Sequence, residues 1–174
     1  SSDVCSSDLA DYGKILPQTL LDLCPKGFLN IHPSLLPLHR GPAPLQATIL
    51  SGDNKTGVTI IKIDVEMDHG PIVAVQHEEI PLTSWPCTAS ELSTHMAHIG
   101  AQLLINTLPA YIAGNTKLVP QDHDVATYTK MIDKKDAEVS YDDIQKGSLA
   151  DIYLKYCAYK DWPEVYFMKD GKRV

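Results

Sequence analysis

An α/β fold built on a mostly parallel sheet is what this sequence predicts, and three observations carry the prediction. Short β-branched runs bounded by Gly and Pro read as buried strands, most clearly "GVTIIKID" over 57–64. Helical segments with recognisable starts and stops alternate with these runs, which implies βαβ connections. A length of 174 residues, 44% hydrophobic and 21% charged, suits one domain with a real core, or one domain and part of a second.

Taken in order, the opening "SSDVCSSDL" repeats SSD, has no hydrophobic period and does not begin with Met. Residues 1–9 therefore read as foreign sequence, with a native flexible loop as the alternative. Pro17 suits the first turn of a short helix over "PQTLLDLC", and Lys26-Gly27 then marks a break. "FLNIH" (28–32) is a strand that Pro33 ends, and "PAPLQATILSG" (42–52) is a helix stopped by Gly52. "GVTIIKID" is the next strand; "HGPIVAVQHEEI" (69–80) is another, after a Gly-Pro turn. Thr88 and Glu91 form a capping box. Behind it Leu92, Met96, Ile99, Leu103 and Leu108 step along one helical face until Pro109 bends or ends it, and Gly114-Asn115 closes the unit. Residues 115–133 have no period and read as a linker. Beyond them "VSYDDI" and "EVYFMKDGKRV" alternate around a Lys-Asp-Gly turn, like the start of a small β domain. A hairpin and one helix bury little alone, so the chain reads as truncated at this end and at the other.

The net charge is −7, and the acidic excess lies wholly before residue 126: 6 Lys+Arg face 13 Asp+Glu there, 9 face 9 afterwards. A global basic footprint for nucleic acid is thereby excluded, although a local patch suffices for binding. No apolar stretch has membrane-spanning length and no leader pattern is visible, so a cytoplasmic protein without a membrane partner is expected. Cys5, Cys24, Cys87 and Cys157 are scattered with no CxxC pair, which points to reduced buried thiols rather than disulfides or zinc. His95 and His98 lie three apart on a helix but have no third ligand in view, so no metal is expected.

The chemistry concentrates in "FLNIHPSLLPLHRG" (28–41). Residues i and i+2 of a strand share a face, so Asn30 and His32 point one way at its carboxyl end, where ligands of parallel sheets bind. Pro33 and Pro37 stiffen the loop beyond. Buried polar groups need partners, either in neighbouring loops or in a substrate. Asp68, in "IDVEMDHG" just past the next strand, can supply one. If the two strands are parallel neighbours, their loops meet at one edge and the carboxylate faces His32. An amide, an imidazole and a carboxylate together can stabilise an oxyanion and move a proton. With no obviously activated Ser or Cys nearby, direct attack of an amine on an activated carbonyl fits better than covalent catalysis.

"YGKILP" (12–17), "NIHPSLLPLHRGPAP" (30–44) and "TGVTIIKIDVEMDHGPI" (56–72), with 36 residues from His32 to Asp68, resemble the folate-dependent formyltransferases. "RGPAP", "TYTKMIDKKDAEVSY" and "DWP" resemble those members that act on methionyl-tRNA; the likeness runs over about 10–174. The resemblance implies a Rossmann-like formyltransferase sheet over a catalytic domain at 10–114, a linker at 115–133, and at 134–174 the start of an OB-like β-barrel of tRNA-binding type. It implies 10-formyltetrahydrofolate as formyl donor and the amine of initiator Met-tRNA as acceptor, in a monomer. Asn30 and His32 would stabilise the tetrahedral oxyanion, and Asp68 would hold His32 and assist proton transfer. Ser34, Leu35, Leu36 and Pro37 would line the folate site. Lys14, Ile15 and Leu16 would flank the pterin, facing Ile63, Asp64, Val65, Glu66 and Met67.

Three positions depart from that pattern: Leu38 where a basic residue is usual, His69 in place of Thr, and Asp11 at a small apolar position. The amino-terminal part of the family and most of its barrel are also missing, so these 174 residues alone are expected to be weakly active or inactive. Lys134-Lys135 and Lys169 to Arg173 could touch tRNA phosphates or be solvated surface. His123-Asp124, in the linker, calls for no role, and Trp85 and Trp162 read as packing residues. Two other functions stay open: formyl transfer to a small amine such as a purine precursor or amino sugar, and a non-catalytic folate- or tRNA-binding remnant.

Overall fold

A computed structural model of the chain describes residues 7–9, 16–146 and 148–174. Four strands form one sheet in the order β1 (Ser7–Leu9), β2 (Phe28–His32), β3 (Lys55–Lys62) and β4 (Ile72–Glu79). The expected strands at 28–32, 57–64 and 69–80 are all present. Their directions are not as expected, because only β1–β2 is parallel; β2–β3 and β3–β4 are antiparallel. The mostly parallel sheet is thus corrected. The nine residues between β3 and β4 are too few for a parallel crossover, which takes a dozen or more. The stretch between β2 and β3 is longer, but it leaves and re-enters the sheet at the same end, so His32 pairs with Thr59 and Leu29 with Lys62. A β-branched run marks burial without marking direction.

Helices α1 (Gln18–Leu21) and α2 (Pro44–Ser51) lie where the sequence puts them, and Gly52 caps α2 in the left-handed region at φ 72°. Helix α3 (Ala89–Ile112) opens on the Thr88–Glu91 capping box and lays Leu92, Met96 and Gly100 on the sheet. Pro109 does not end it. The carbonyl freed by the missing N–H belongs to Ile105, on the exposed face, where water can satisfy it. At Gly100 the helix comes so close that a Cβ would sit 2.7 Å from Ile31 Cγ2.

The two faces of β2 differ sharply. Leu29 and Ile31 join Val58, Ile60, Val73 and α3 in the apolar core. Phe28 points the other way, into a small cluster with Leu16, Leu21, Cys24 and Ile63, and Asn30 and His32 share its face.

"VSYDDI" forms no strand: Ser140 Oγ accepts from Asp143 N, and Asp143 Oδ2 accepts from Ser140 N. This is a reciprocal cap for α4 (Tyr141–Lys146). Helix α5 (Leu149–Tyr159) buries Cys157, Ala158 and Tyr159 against Ile49, Leu92 and Met96, which fuses this segment to the main core. The hairpin expected around Lys-Asp-Gly exists as β5 (Met168–Lys169) and β6 (Lys172–Arg173), with Asp170 and Gly171 at φ 50° and 72°. Among the described residues of 134–174 it is the whole β content beyond a single bridge, so no barrel start is formed.

Candidate active site

Asn30, His32 and Asp68 meet on the outer face of β2. Asn30 Nδ2 donates to Asp68 Oδ1 at 3.3 Å, and His32 Nδ1 lies 3.7 Å from Asp68 Oδ2. They meet by a different route from the parallel-strand reasoning. The loop after β3 begins beside Leu29, at the wrong end of β2, and folds back over the strand's face. Asp68 itself adopts the left-handed conformation, φ 51°, at a cost on the order of 1–3 kcal/mol for a residue with a side chain. The backbone N–H of Gly41 donates to Asp68 Oδ2 at 2.7 Å and holds the carboxylate from the other side. Gly41 has φ 104°, and a Cβ there would meet the Thr129 carbonyl and hydroxyl oxygens at 2.8 Å, so only glycine brings this N–H into place.

His32 is 4% exposed, and its Nε2 lies 3.0 Å from the carbonyl oxygen of His39. That partner can only accept, so Nε2 carries hydrogen and Nδ1 is the atom turned toward Asp68. At 3.7 Å the Nδ1–carboxylate pair is close enough for charge balance and too long for a hydrogen bond. A proton on Nδ1 would therefore remain available to a third group, as would the second amide hydrogen of Asn30. Burial pushes the His39 imidazole below its ordinary pKa, and the adjacent His32 adds to the shift.

The other predicted residues fall into separate groups. Ser34 and Leu36 serve the loop itself. Ser34 Oγ donates to the Leu38 carbonyl at 2.6 Å, and Thr59 Oγ1 bridges from the Leu36 N–H to the Ser34 carbonyl. Leu35 packs at Gly57, further along β3, while Pro37 offers its carbonyl to Thr127 N. Leu16 and Ile63 meet in the Phe28 cluster. Asp64 accepts from Glu66 N and pairs with His69 Nδ1 at 2.7 Å; Glu66 is exposed, as are Val65 and Met67 at 49% and 44%. Lys14 and Ile15 lie outside the described residues, as does Asp11.

Sequence reasoning missed the group that holds this arrangement together. Arg40 is fully buried; its guanidinium donates to Gln121 Oε1 at 2.6 and 3.1 Å and to Tyr128 OH at 2.9 Å, with His123 Nδ1 2.9 Å away. Gln121 in turn donates from Nε2 to the carbonyls of Asp68 and Gly70, both at 2.8 Å. His123, for which the sequence suggested no role, also stacks on His69 with ring centroids 4.1 Å apart. Among the described residues no buried side-chain N or O lacks a partner. The one signal in the sequence was an arginine in a loop made mostly of Leu and Pro.

The Formyl transferase family profile matches residues 6–108. A methionyl-tRNA formyltransferase of Chloroflexus aurantiacus is 43% identical over 166 residues, covering 94% of this chain and 51% of that protein. One of Caldicellulosiruptor saccharolyticus is 40% identical over 161 residues, covering 92% and 49%. The chain thus spans about half the length of the curated relatives it matches. Among solved structures, a sugar N-formyltransferase from a Shewanella species superposes with TM-score 0.77 at 25% identity, over 97% of this chain and 67% of that one. Aquifex aeolicus HypX in complex with tetrahydrofolic acid superposes at 0.80 and 18% identity, over 97% and 28%. The profile match takes in the strands, loops and helix that assemble Asn30, His32 and Asp68, and by it this chain belongs to the formyl transferase family.

Proposed function

We propose that this chain carries the catalytic centre of an enzyme that moves a formyl group from 10-formyltetrahydrofolate to the amine of methionyl initiator tRNA. The observation that carries the reading is the convergence of an amide, an imidazole and a carboxylate on one face of β2, with the second Asn30 amide hydrogen and His32 Nδ1 holding no hydrogen bond to another described residue. The incoming amine attacks the formyl carbon, and the carbonyl oxygen becomes an oxyanion. Asn30 Nδ2 and a protonated His32 Nδ1 donate to it. Asp68 accepts the proton lost by the amine, directly or through water, and returns it to the folate nitrogen as the oxyanion collapses to a carbonyl and the bond from the formyl carbon to that nitrogen breaks. Val65 and Met67 offer exposed apolar surface to a folate ring above the packed Leu16–Ile63 cluster, and the loop Ser34–Pro37 would form the neighbouring wall.

The tRNA acceptor rests on kinship: relatives named methionyl-tRNA formyltransferase reach 45% identity, whereas the Shewanella sugar N-formyltransferase is 25% identical. With that acceptor we infer a cytoplasmic monomer in which residues 134–174 belong to a domain of tRNA-binding type. Among the described residues no helix is long and apolar enough to cross a membrane. The test uses a full-length protein carrying this segment, assayed with labelled formyl donor against charged initiator tRNA, uncharged tRNA and an amino sugar. Label on charged tRNA alone is expected; label on the sugar instead would replace the acceptor, and none on any acceptor would defeat the reading.

A further inference from the structure

We propose that Gln121 is a positioning residue for Asp68, and that the segment 119–129, which the sequence presents as a linker, is a strap that belongs to the catalytic unit. The inference rests on the formyl-transfer reading for its activity arm only. Asp68 sits on a loop that must fold back over β2 and hold a left-handed backbone, so something has to fix that loop. Its own side-chain hydrogen bonds fix the carboxylate rather than the loop's carbonyls. The carboxylate is engaged with Asn30 and Gly41, and His69 binds within the loop to Asp64.

The fixing comes from outside. Gln121, 5% exposed, donates its amide hydrogens to the Asp68 and Gly70 carbonyls, and its oxygen takes two bonds from Arg40. Arg40 is adjacent to Gly41, whose N–H holds the Asp68 carboxylate, and to His39, whose carbonyl holds His32. One amide side chain therefore ties the backbone of the base to the loop that orients both the base and the imidazole.

The rest of the strap runs the same way. Val119 pairs with Ile72 through two backbone bonds; Thr127 bonds His39 N and, through its carbonyl, Arg40 N; Thr129 bonds the Arg40 carbonyl and Ala43 N. His123 lies over His69. No other side chain among the described residues bridges the two loops with both a donor pair and an acceptor.

Gln121→Glu separates positioning from folding. The carboxylate keeps a partner for Arg40 but puts an acceptor against two carbonyl oxygens where two donors stood. Two measurements are made on it. Hydrogen exchange reads the Gly41 amide and residues 63–70, with α3 as the internal reference; formyl transfer in the full-length protein reads kcat and KM for the donor. Exchange at Gly41 and the loop is expected to quicken at least tenfold with α3 unchanged. In parallel kcat is expected to fall ~10- to ~100-fold with KM changed less than about threefold.

Unchanged exchange at Gly41 overturns the proposal, as does quickened exchange with normal kcat. Exchange quickened throughout α3 also overturns it, because Gln121 would then hold the fold at large. If the unsubstituted protein transfers no formyl group, the functional reading fails and the exchange arm still decides whether Gln121 fixes Asp68.

Discussion

One strand, β2, has two faces that were built by different means. Leu29 and Ile31 meet α3 in a packed apolar layer close enough to demand Gly100. Asn30 and His32, on either side of Ile31, meet loops, and apart from the His32–His39 contact the bonds that join those loops run between residues distant in sequence. Asn30 to Asp68 spans 38 positions, Gln121 to Asp68 spans 53, and Arg40 to Tyr128 spans 88. The apolar face stores stability in contact area, spread over many atoms. The polar face stores geometry in a few directed bonds, each of which strands a buried partner if removed. Substitutions on the two faces should therefore fail in different ways.

The largest effect is expected on the polar face and in rate. His32→Ala removes the imidazole held by the His39 carbonyl and should lower kcat for formyl transfer by ~10²- to ~10⁴-fold, the usual worth of a group that moves or shares a proton in the transition state. Urea unfolding of the same variant should shift less than that of a core truncation such as Leu92→Ala, for which about 2–5 kcal/mol is expected. A His32→Ala protein with near-normal turnover would end the distinction between the faces.

On the apolar face, Gly100→Ala sharpens the contrast. The new Cβ would lie 2.7 Å from Ile31 Cγ2, so helix or strand has to yield, at about 1–3 kcal/mol by denaturant unfolding. Ile31 sits between Asn30 and His32, so the strain reaches the site, and kcat should fall severalfold even though the substitution is on the opposite side of the sheet. Lost stability with unchanged kcat would mean that the two faces are mechanically independent.

The same contrast explains what was legible in the sequence. The capping box at Thr88–Glu91, the stripe from Leu92 to Leu108, Gly52 after α2 and the strand "FLNIH" are local signals, and each lies where the sequence puts it. Strand direction was not legible, because it depends on where a connection returns. Nor was "VSYDDI", where alternation suggested a strand and the Ser140–Asp143 cap prevailed. At the site, Asn30, His32 and Asp68 were picked out by residue type, and their convergence was argued from a parallel pairing that the sheet does not have. Arg40, Gln121 and His123 escaped because a buried network between loops leaves no period and no spacing.

The smallest effect concerns the start of α3, where the apolar face is set rather than packed. Thr88 donates from its hydroxyl and its backbone N–H to the Glu91 carboxylate, and these two bonds, the hydroxyl's first, hold the Glu91 carboxyl below its ordinary pKa. A depressed native value means the unfolded chain binds the proton more readily. The cap therefore contributes its full stabilisation above the ordinary glutamate range, roughly pH 4.3, and loses it as pH falls through the lowered native value. The carboxylate is solvent-exposed, so the contribution is small. Comparing Glu91→Gln with the unsubstituted chain by thermal unfolding, the gap in Tm should be widest near neutral pH and close as the pH drops below about 4. Because the cap fixes where α3 begins, the variant should leave kcat and hydrogen exchange at Gly41 unchanged. A gap in Tm that persists in acid would assign the stabilisation to the side chain's packing rather than its charge.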